Sequence, residues 1–417
     1  MAEAYGTIGN VVSFGQFMIV MHRIFFVLVF VCGALCLFEG CSRTPESHVV
    51  PDTEVPQPEP PPPPKQLPPP GNPGPVLLQI ATLFPLQIFG TAATPNYFAI
   101  ATQGDAYDEK LCPLTNRPNC YKGTAYIAPR MNPNEPKLIS LYESDTQSGA
   151  RVEAIAATAD RFFFAVTEGL YAGDTRSTTL IVADQTGNVE RTLAMNPPRQ
   201  IVYQMALAGS ETNVTSCMIT NSHEVTVDDA HIRCEQVDAA YGTRTTILDW
   251  AFETPPRSLD IALLKNDLLI AWTAGGRLYA AFSDAPEAVM EFGEAISAGP
   301  YLAVGHEQFM LAWLDDKAQT RVTRIVRGEP PSKQLLLNGI MERTLDGLVA
   351  TVPGFLLSFR YDNSQQLALI EPDLSAWHLV EGKAPWLQLS DYAALDIANA
   401  HQGKIVWQTA DSLIGEN

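Results

Sequence analysis

From residue 76 onward, apolar positions fall in runs of four to eight residues, rich in Val, Ile, Phe and Tyr, with Gly, Asp, Asn and Pro between them. A 3.6-residue period is almost absent, so the runs read as strands, not helix faces. Residues 258–292 show the unit in full. SLDIALL (258–264) is followed by the turn Lys265-Asn266-Asp267, then by apolar runs at 268–273, 277–282 and 287–292. Gly275-Gly276 separates the second run from the third, and this pair suits a tight hairpin that needs positive φ. The stretch predicts four consecutive antiparallel strands.

The unit recurs. VEAIAAT, RFFFAVT, TTLIVAD and VERTLAM occupy 152–195, YLAV, QFMLAWL, TRVTRIV and KQLLL occupy 301–337, and DGLVAT, GFLLSFR, QLALIE and AWHLVE occupy 346–381. A looser copy, IVYQMALA, NVTSCMIT, HIRCEQV and TRTTILD, spans 201–249, and the first copy has NYFAIAT, GTAYIA and PKLISLY between 96 and 142. The second strand is the best marker. It begins near residues 97, 162, 214, 268, 308, 355 and 404, at intervals of about 40 to 65 residues. Four-stranded units at that period predict an all-β chain, a β-propeller of four-stranded antiparallel blades. Seven starts predict seven blades, with six or eight as the alternatives; a pair of β-sandwiches would need Greek-key spacing without a common unit. A blade lies between two others, so both faces of its inner strands are buried and their sequences run continuously apolar, as LLIAW, FFFAV, FMLAWL and FLLSF do. The outermost strand is half exposed and mixed, as in VERTLAM. The last copy reads DYAALDIA (391–398), GKIVWQT (403–409) and SLIG (412–415), one strand short, while VLLQIA (76–81) precedes the first copy as a surplus strand. The expectation is that VLLQIA completes the last blade and closes the ring, leaving no free edge.

Residues 1–75 have a different character. Met21-His22-Arg23 offers a small basic region, Ile24 to Phe38 is apolar, and Gly40-Cys41 closes the segment before polar Ser42-Arg43-Thr44. This is the layout of an export signal, with translation starting at Met1, Met18 or Met21. Residues 45–75 then carry 14 prolines, including the run Pro60 to Pro64. Proline favours polyproline II at ~3.1 Å per residue, so 42–75 is expected to be a tether spanning up to ~90 Å. Together these segments resemble those of bacterial lipoproteins that carry a β-propeller on a Pro-rich stem. The resemblance implies a signal over 1–41, lipidation at Cys41, a tether over 42–75 and a propeller over 76–417, anchored by lipid outside the cytoplasm. LFEGC departs from the usual lipobox in placing Phe38 and Glu39 before Gly40. Plain secretion and an uncleaved N-terminal anchor are the alternatives.

Charge changes the picture by exclusion. The chain is 46% hydrophobic, enough for a large core, and its net charge is −19. Nucleic acid, whose phosphates must be met by Lys and Arg, is excluded as a partner, and adhesion to anionic lipid is disfavoured. Outside residues 1–41 four cysteines remain, Cys112, Cys120, Cys217 and Cys234, an even number that reads as disulfides in an exported chain. Of three pairings, Cys112–Cys120 with Cys217–Cys234 closes the shortest loops.

Candidate chemistry lies on loops borne by the scaffold. The second-to-third connections 103–122 and 221–230 are the unusual ones, and the cysteines flank or lie within both. Candidate binding residues there are Asp105, Tyr107, Asp108, Arg117 and Tyr121 on the first, and His223, Asp228, Asp229 and His231 on the second. Cys217, His223, His231 and Cys234 are zinc ligand types, but their spacing matches no zinc motif, and Asp105, Asp108 and Glu109 lack a calcium-loop pattern. Gly403 and Trp407 share the spacing of the Trp-docking motif of quinone-dependent propellers once only, and a core tryptophan accounts for it, Trp272 and Trp313 holding the same strand position. Hydrolase, metalloprotease and phosphate-loop motifs are absent from the sequence. The expectation is a monomeric, non-catalytic, lipid-anchored propeller without cofactor or metal, presenting a binding face to protein or glycan partners at the bacterial envelope. Its rivals are a sialidase- or lyase-like propeller enzyme and a structural subunit of an envelope assembly complex.

Overall fold

The structure is a computed structural model that describes residues 78–81, 87–106, 120–129, 136–144, 149–169, 176–197, 200–222, 230–295, 299–341, 344–361, 364–384, 387–390, 393–398 and 404–408. All belong to the second of two compact units, Pro63–Asn417. The signal, Cys41 and the Pro-rich segment lie outside the described residues. The described residues contain no helix, and so none long and apolar enough to cross a membrane.

Strand β1 (Leu78–Ala81) comes first. Six four-stranded antiparallel sheets then follow one another along the chain. The first holds β2 (Gln87–Ala93), β3 (Tyr97–Ala106), β4 (Cys120–Pro129) and β5 (Lys137–Ser144). The second holds β6 (Ala150–Ala157), β7 (Arg161–Glu168), β8 (Ser177–Asp184) and β9 (Val189–Ala194), and the third β10 (Gln200–Gly209), β11 (Asn213–Ser222), β12 (Ala230–Asp238) and β13 (Arg244–Phe252). The fourth holds β14 (Pro256–Leu264), β15 (Asp267–Ala274), β16 (Arg277–Phe282) and β17 (Met290–Glu294). The fifth holds β18 (Tyr301–Gly305), β19 (Gln308–Leu314), β20 (Gln319–Ile325) and β21 (Leu335–Met341). The sixth holds β22 (Thr344–Ala350), β23 (Phe355–Tyr361), β24 (Ser364–Ile370) and β25 (Trp377–Ala384). Each sheet pairs its strands in chain order, so every first strand is an edge strand.

Second strands form the core. Phe162, Phe163 and Phe164 of β7, Trp272 of β15, Phe309 and Trp313 of β19 and Phe355 and Phe359 of β23 are buried. Alternate residues face opposite sides of a sheet, and here both sides are covered. Phe164 belongs to a cluster with the first sheet's Ala99 and Ile127, whereas Phe163 packs with the third sheet's Met205 and Met218. Outer strands β9 and β13 are largely exposed. Gly275 and Gly276 have φ of 58° and 76°, the geometry the hairpin requires.

First strands pack side by side in order, β2 beside β6, β6 beside β10, and so on to β22. Six of them line one central cavity. Sheets radiating from a shared axis are the arrangement of a β-propeller. Radial packing leaves least room at the axis, and the first strands carry small residues there: a Cβ on Gly209 of β10 would overlap the Ala157 carbonyl oxygen of β6. Outer strands β5, β9, β13 and β17 carry register shifts, which blunt their open edges.

The C-terminal segment differs from expectation. Its strands are β26 (Leu387–Ser390), β27 (Ala393–Ala398) and β28 (Lys404–Gln408), paired in the order β1-β28-β27-β26. KIVWQ is therefore the third strand, not the second, and the marker strand is β27. Leu387-Gln388-Leu389-Ser390 holds only two apolar positions, too few to register as a run, so the sequence frame slips by one strand. Trp407 consequently does not share a strand position with Trp272 and Trp313. Residues 412–415, expected as a strand, lie outside the described residues. In the first sheet the innermost strand is QIFGTAA, which the run pattern left unassigned.

Candidate functional site

The roots of both unusual loops lie at one end of the strands, and the loops themselves lie outside the described residues. Tyr107, Asp108, Glu109, Arg117, His223, Asp228 and Asp229 lie outside the described residues. Asp105 on β3 and Tyr121 on β4 are direct cross-strand partners. Cys120 is disulfide-bonded and fully buried, while Cys112 lies outside the described residues.

His231, the second residue of β12, lies opposite Thr220. Its Nδ1 lies 2.7 Å from Asp249 Oδ1, and Arg233 Nη1 reaches Asp249 Oδ2 at 3.5 Å. Arg233 Nε also donates to Glu235 at 2.9 Å, and Arg244 Nε donates to the same carboxylate at 2.7 Å. His231 thus ends a chain of hydrogen bonds and ion pairs across β12 and β13. Cys217 and Cys234 are bonded, with an S–S distance of 2.04 Å. They face one another in register, with two rungs between them and Thr220↔His231 at the loop root. Their sulfurs lie among Ile219, Ile232, Leu259 and Trp272, between the third and fourth sheets. The bridge fastens two strands inside the core more than it pins the loop, and its sulfurs are not thiolates that could hold zinc. Among the described residues no group of three or more His, Cys, Asp or Glu side chains could hold a metal ion.

At the same end of the strands lies a feature that no sequence pattern records. Five of the first strands carry a bulge near their start, at Phe89, Glu153, Tyr203, Arg257 and Asp346. A bulge leaves peptide groups out of the ladder and re-aims a side chain. The freed Tyr203 carbonyl accepts from Arg151 Nη2 at 3.1 Å and from Arg176 Nη2 at 2.8 Å. The bulged Glu153 carboxylate, with its side chain only 4% exposed, holds Arg151 at 2.7 Å and Arg176 at 3.7 Å. Arg176 also lies over the Tyr203 ring, 5.3 Å from its centroid. Burial lowers the Arg176 pKa, Glu153 opposing the shift and Arg151 adding to it.

Such clasps continue around the axis. Gln204 Nε2 of β10 donates to the Leu259 carbonyl of β14 at 3.0 Å, and the Leu302 amide of β18 donates to Asp260 Oδ2 of β14 at 2.7 Å. The Tyr301 hydroxyl of β18 donates to the Leu345 carbonyl of β22 at 2.9 Å. Each joins one first strand to the next and satisfies a peptide group or carboxylate that radial packing takes from solvent.

Beyond the clasps, toward the first-to-second turns, the first strands enclose a cup of about 350 Å3. Its wall comes from 91–93, 155–157, 207–209, 261–263, 302–304 and Ala350. Among the described residues that line it, all but Thr91 are Gly, Ala, Val, Leu or Ile. The turns at its mouth are short and linked: Ala159 N donates to the Glu211 carbonyl at 3.1 Å, and His306 Nε2 lies 2.9 Å from the Thr351 carbonyl oxygen. The cup lies toward the opposite end of the strands from the loops singled out by sequence.

Sequence reasoning did not reach the cup, because main-chain edges make it and residue types barely record an edge. The clasp residues were equally hidden; the nearest signal is a polar residue interrupting an Ala-rich run, such as Glu153 in VEAIAA or Asp260 in LDIALL.

No family model matches the chain, and no curated protein matches it. Solved structures do resemble it. An acylaminoacyl peptidase in complex with Z-Gly-Gly-Phe-chloromethyl ketone superposes with a TM-score of 0.49 at 10% identity, over 78% of this chain and 52% of that one. The chain spans about half the length of the acylaminoacyl peptidases it matches. The β-propeller domain of the Trilobed protease from Pyrococcus furiosus gives 0.48 at 10% identity, over 80% of this chain and 99% of that one. A chain of the mitotic checkpoint complex gives 0.48 at 9% identity, over 89% of this chain and 100% of that one. The chain is thus similar to β-propeller domains in outline, at identities and scores that carry no argument about activity.

Proposed function

We propose that the chain is a non-catalytic propeller lipoprotein, held at a bacterial envelope through Cys41, which presents a binding face to protein or glycan partners. The observation that carries this reading is the chemistry at the axis. A propeller enzyme needs titratable groups from several sheets to converge, and among the described residues none lines the cup where six first strands meet. Four charged side chains near the described axis, Arg151, Glu153, Arg176 and Asp260, are engaged in clasps between sheets. The binding face in this reading is the one bearing loops 107–119 and 223–229, whose roots are Asp105, Tyr121 and His231. We further propose seven blades, with β1 supplying the outer strand of the last. Support comes from the register Leu78↔Trp407 through Ala81↔Lys404, and from β26 lying against both β22 and β2.

The test has two parts. Cys41→Ala should move the protein from the membrane fraction to the soluble extracytoplasmic fraction; retention in the membrane rejects the lipid anchor. A photo-crosslinking amino acid at Tyr121 or His231 should yield a discrete envelope adduct that the same probe at Thr245, on the outer strand β13, does not. Equal labelling at both places removes the loop face as the contact surface. Turnover of an envelope glycan by the purified chain rejects the non-catalytic reading.

A further inference from the structure

Apart from the loop face, we infer that Asn213 is a glycosylation site, whose side-chain nitrogen receives an oligosaccharide from a lipid pyrophosphate donor during export. The inference rests on the export half of the reading above and on nothing at the loop face. Residues 211–215 read Glu-Thr-Asn-Val-Thr, and Asn213-Val214-Thr215 is the one Asn-x-Ser/Thr triad in the sequence. Each position has a task. Asn213 supplies the nitrogen, the Thr215 hydroxyl gives a transferase a group to hold, and a middle residue other than proline lets the chain bend between them. In the transfer a bond forms between Asn213 Nδ2 and the anomeric carbon of the first sugar. The bond from that carbon to the pyrophosphate oxygen breaks, its electron pair stays with the pyrophosphate, and one amide proton passes to solvent. Nothing is oxidised or reduced.

Three features of the structure favour this asparagine as the acceptor. First, it opens β11 just after the tight turn 210–212, where Glu211 and Thr212 are exposed and Asn213 itself is partly exposed. Second, the turn does not need the Asn213 side chain. Ser210 closes it through the main chain: its Oγ accepts from the Asn213 amide at 3.1 Å, and its amide donates to the Asn213 carbonyl at 2.8 Å. The side chain donates to Thr212 Oγ1 at 3.2 Å, its one bond among the described residues and an exposed one. Nδ2 carries two hydrogens, so a glycosylated nitrogen keeps a donor for that bond. Third, the turn lies at the opposite end of the strands from the roots of the two unusual loops. There the Glu211 carbonyl accepts from the Ala159 amide at 3.1 Å, and the Thr212 carbonyl from the Ala239 amide at 3.1 Å. A glycan on Asn213 therefore leaves the loop face open.

The fold also dictates when transfer happens. Val214 is fully buried and Thr215 is 4% exposed, both laddered between β10 and β12. A transferase must seize 213–215 as free chain, so the finished sheet is not its substrate. A chain threaded through the membrane by its signal meets the transferase before its strands pair. Pairing then fixes the modified residue at the turn.

The test is expression of the full chain in a bacterium that carries a lipid-linked oligosaccharide and its transferase, beside the same strain without the transferase. The intact mass of the chain from the envelope fraction should rise by one glycan, and only where the transferase is present. Asn213→Gln and Thr215→Ala should remove the shift, whereas Thr215→Ser, which keeps the hydroxyl, should retain it. Asn213→Gln leaves the Ser210 bonds in place, so its melting midpoint should match that of the unmodified chain, and the loss is then of the acceptor and not of the fold. Given donor and transferase in vitro, a peptide of residues 208–218 should be modified and the purified folded chain should not. No added mass on a chain found in the envelope overturns this inference and leaves export standing; no added mass on a chain retained in the cytoplasm overturns both. A shift that survives Asn213→Gln overturns the site, and equal modification of folded chain and peptide overturns the order of events.

Discussion

A single carboxylate closes the turn between β8 and β9. Asp184 accepts from the Asn188 amide at 2.9 Å, from the Thr186 hydroxyl at 2.8 Å and from Asn188 Nδ2 at 2.7 Å. Partial desolvation pushes its pKa up, but these donors outweigh it and hold the group at about 2, against 3.8 for the free side chain. Because the folded value is the lower one, the associated stability is fully present above pH 3.8 and is lost as pH falls from there toward 2. Asp184→Ala should therefore cost about 1 kcal/mol at pH 7 and much less at pH 2, read by urea denaturation at the two values. An undiminished difference at pH 2 would show that the carboxylate charge is not what closes the turn. Glycines test the axis in the same assay. Gly209→Ala places a methyl on the Ala157 carbonyl oxygen and should cost at least about 2 kcal/mol. Gly276→Ala meets no atom within 4 Å and should cost about 1 kcal/mol through its positive φ alone.

Among the elements, the second strands were legible and the first strands were not. Phe162-Phe163-Phe164 and Leu268-Leu269-Ile270 sit where both faces are covered, so burial writes itself as an unbroken apolar run. First strands sit where space is least. They are rich in small residues, whose burial leaves a faint signal, and in five of them a bulge breaks the alternation after one to three residues. Hence QIFGTAA and LQLS passed unread, and the last copy was framed one strand out. The Cys217–Cys234 pairing was legible from spacing, but its place in the core was not, since that depends on which rung faces which. Closing a loop of 17 residues, the bridge should contribute about 3 kcal/mol. The Cys217→Ala/Cys234→Ala double variant should lose that much in urea denaturation while keeping its strand circular dichroism. A loss below about 1 kcal/mol would mean that the strand pair is held by packing alone.

At the scale of the whole molecule, closure is the property to test. If β1 completes the last sheet, deleting residues 76–81 leaves the β28 edge bare and unlatches the ring. Thermal unfolding of the full chain should be one cooperative transition, and the deletion should lower its midpoint by several degrees and admit protease to 387–408 first. Unchanged melting and an unchanged cleavage pattern would refute closure by this strand. The acidic surface predicts a second behaviour: with a net charge of −19, the folded chain should resist self-association at low salt, and sedimentation should report a monomer.

The seams between sheets are not interchangeable. A guanidinium meets a carbonyl at one, a carboxamide meets a carbonyl at the next, a main-chain amide meets a carboxylate at the third, and a phenol meets a carbonyl at the fourth. Neighbours are thereby keyed by chemistry as well as by shape. A sheet transplanted to another position, or borrowed from a second molecule out of order, would bring a different group to the seam. The sheets look alike in outline, yet the hub tells them apart, each of these four seams being closed by its own set of groups.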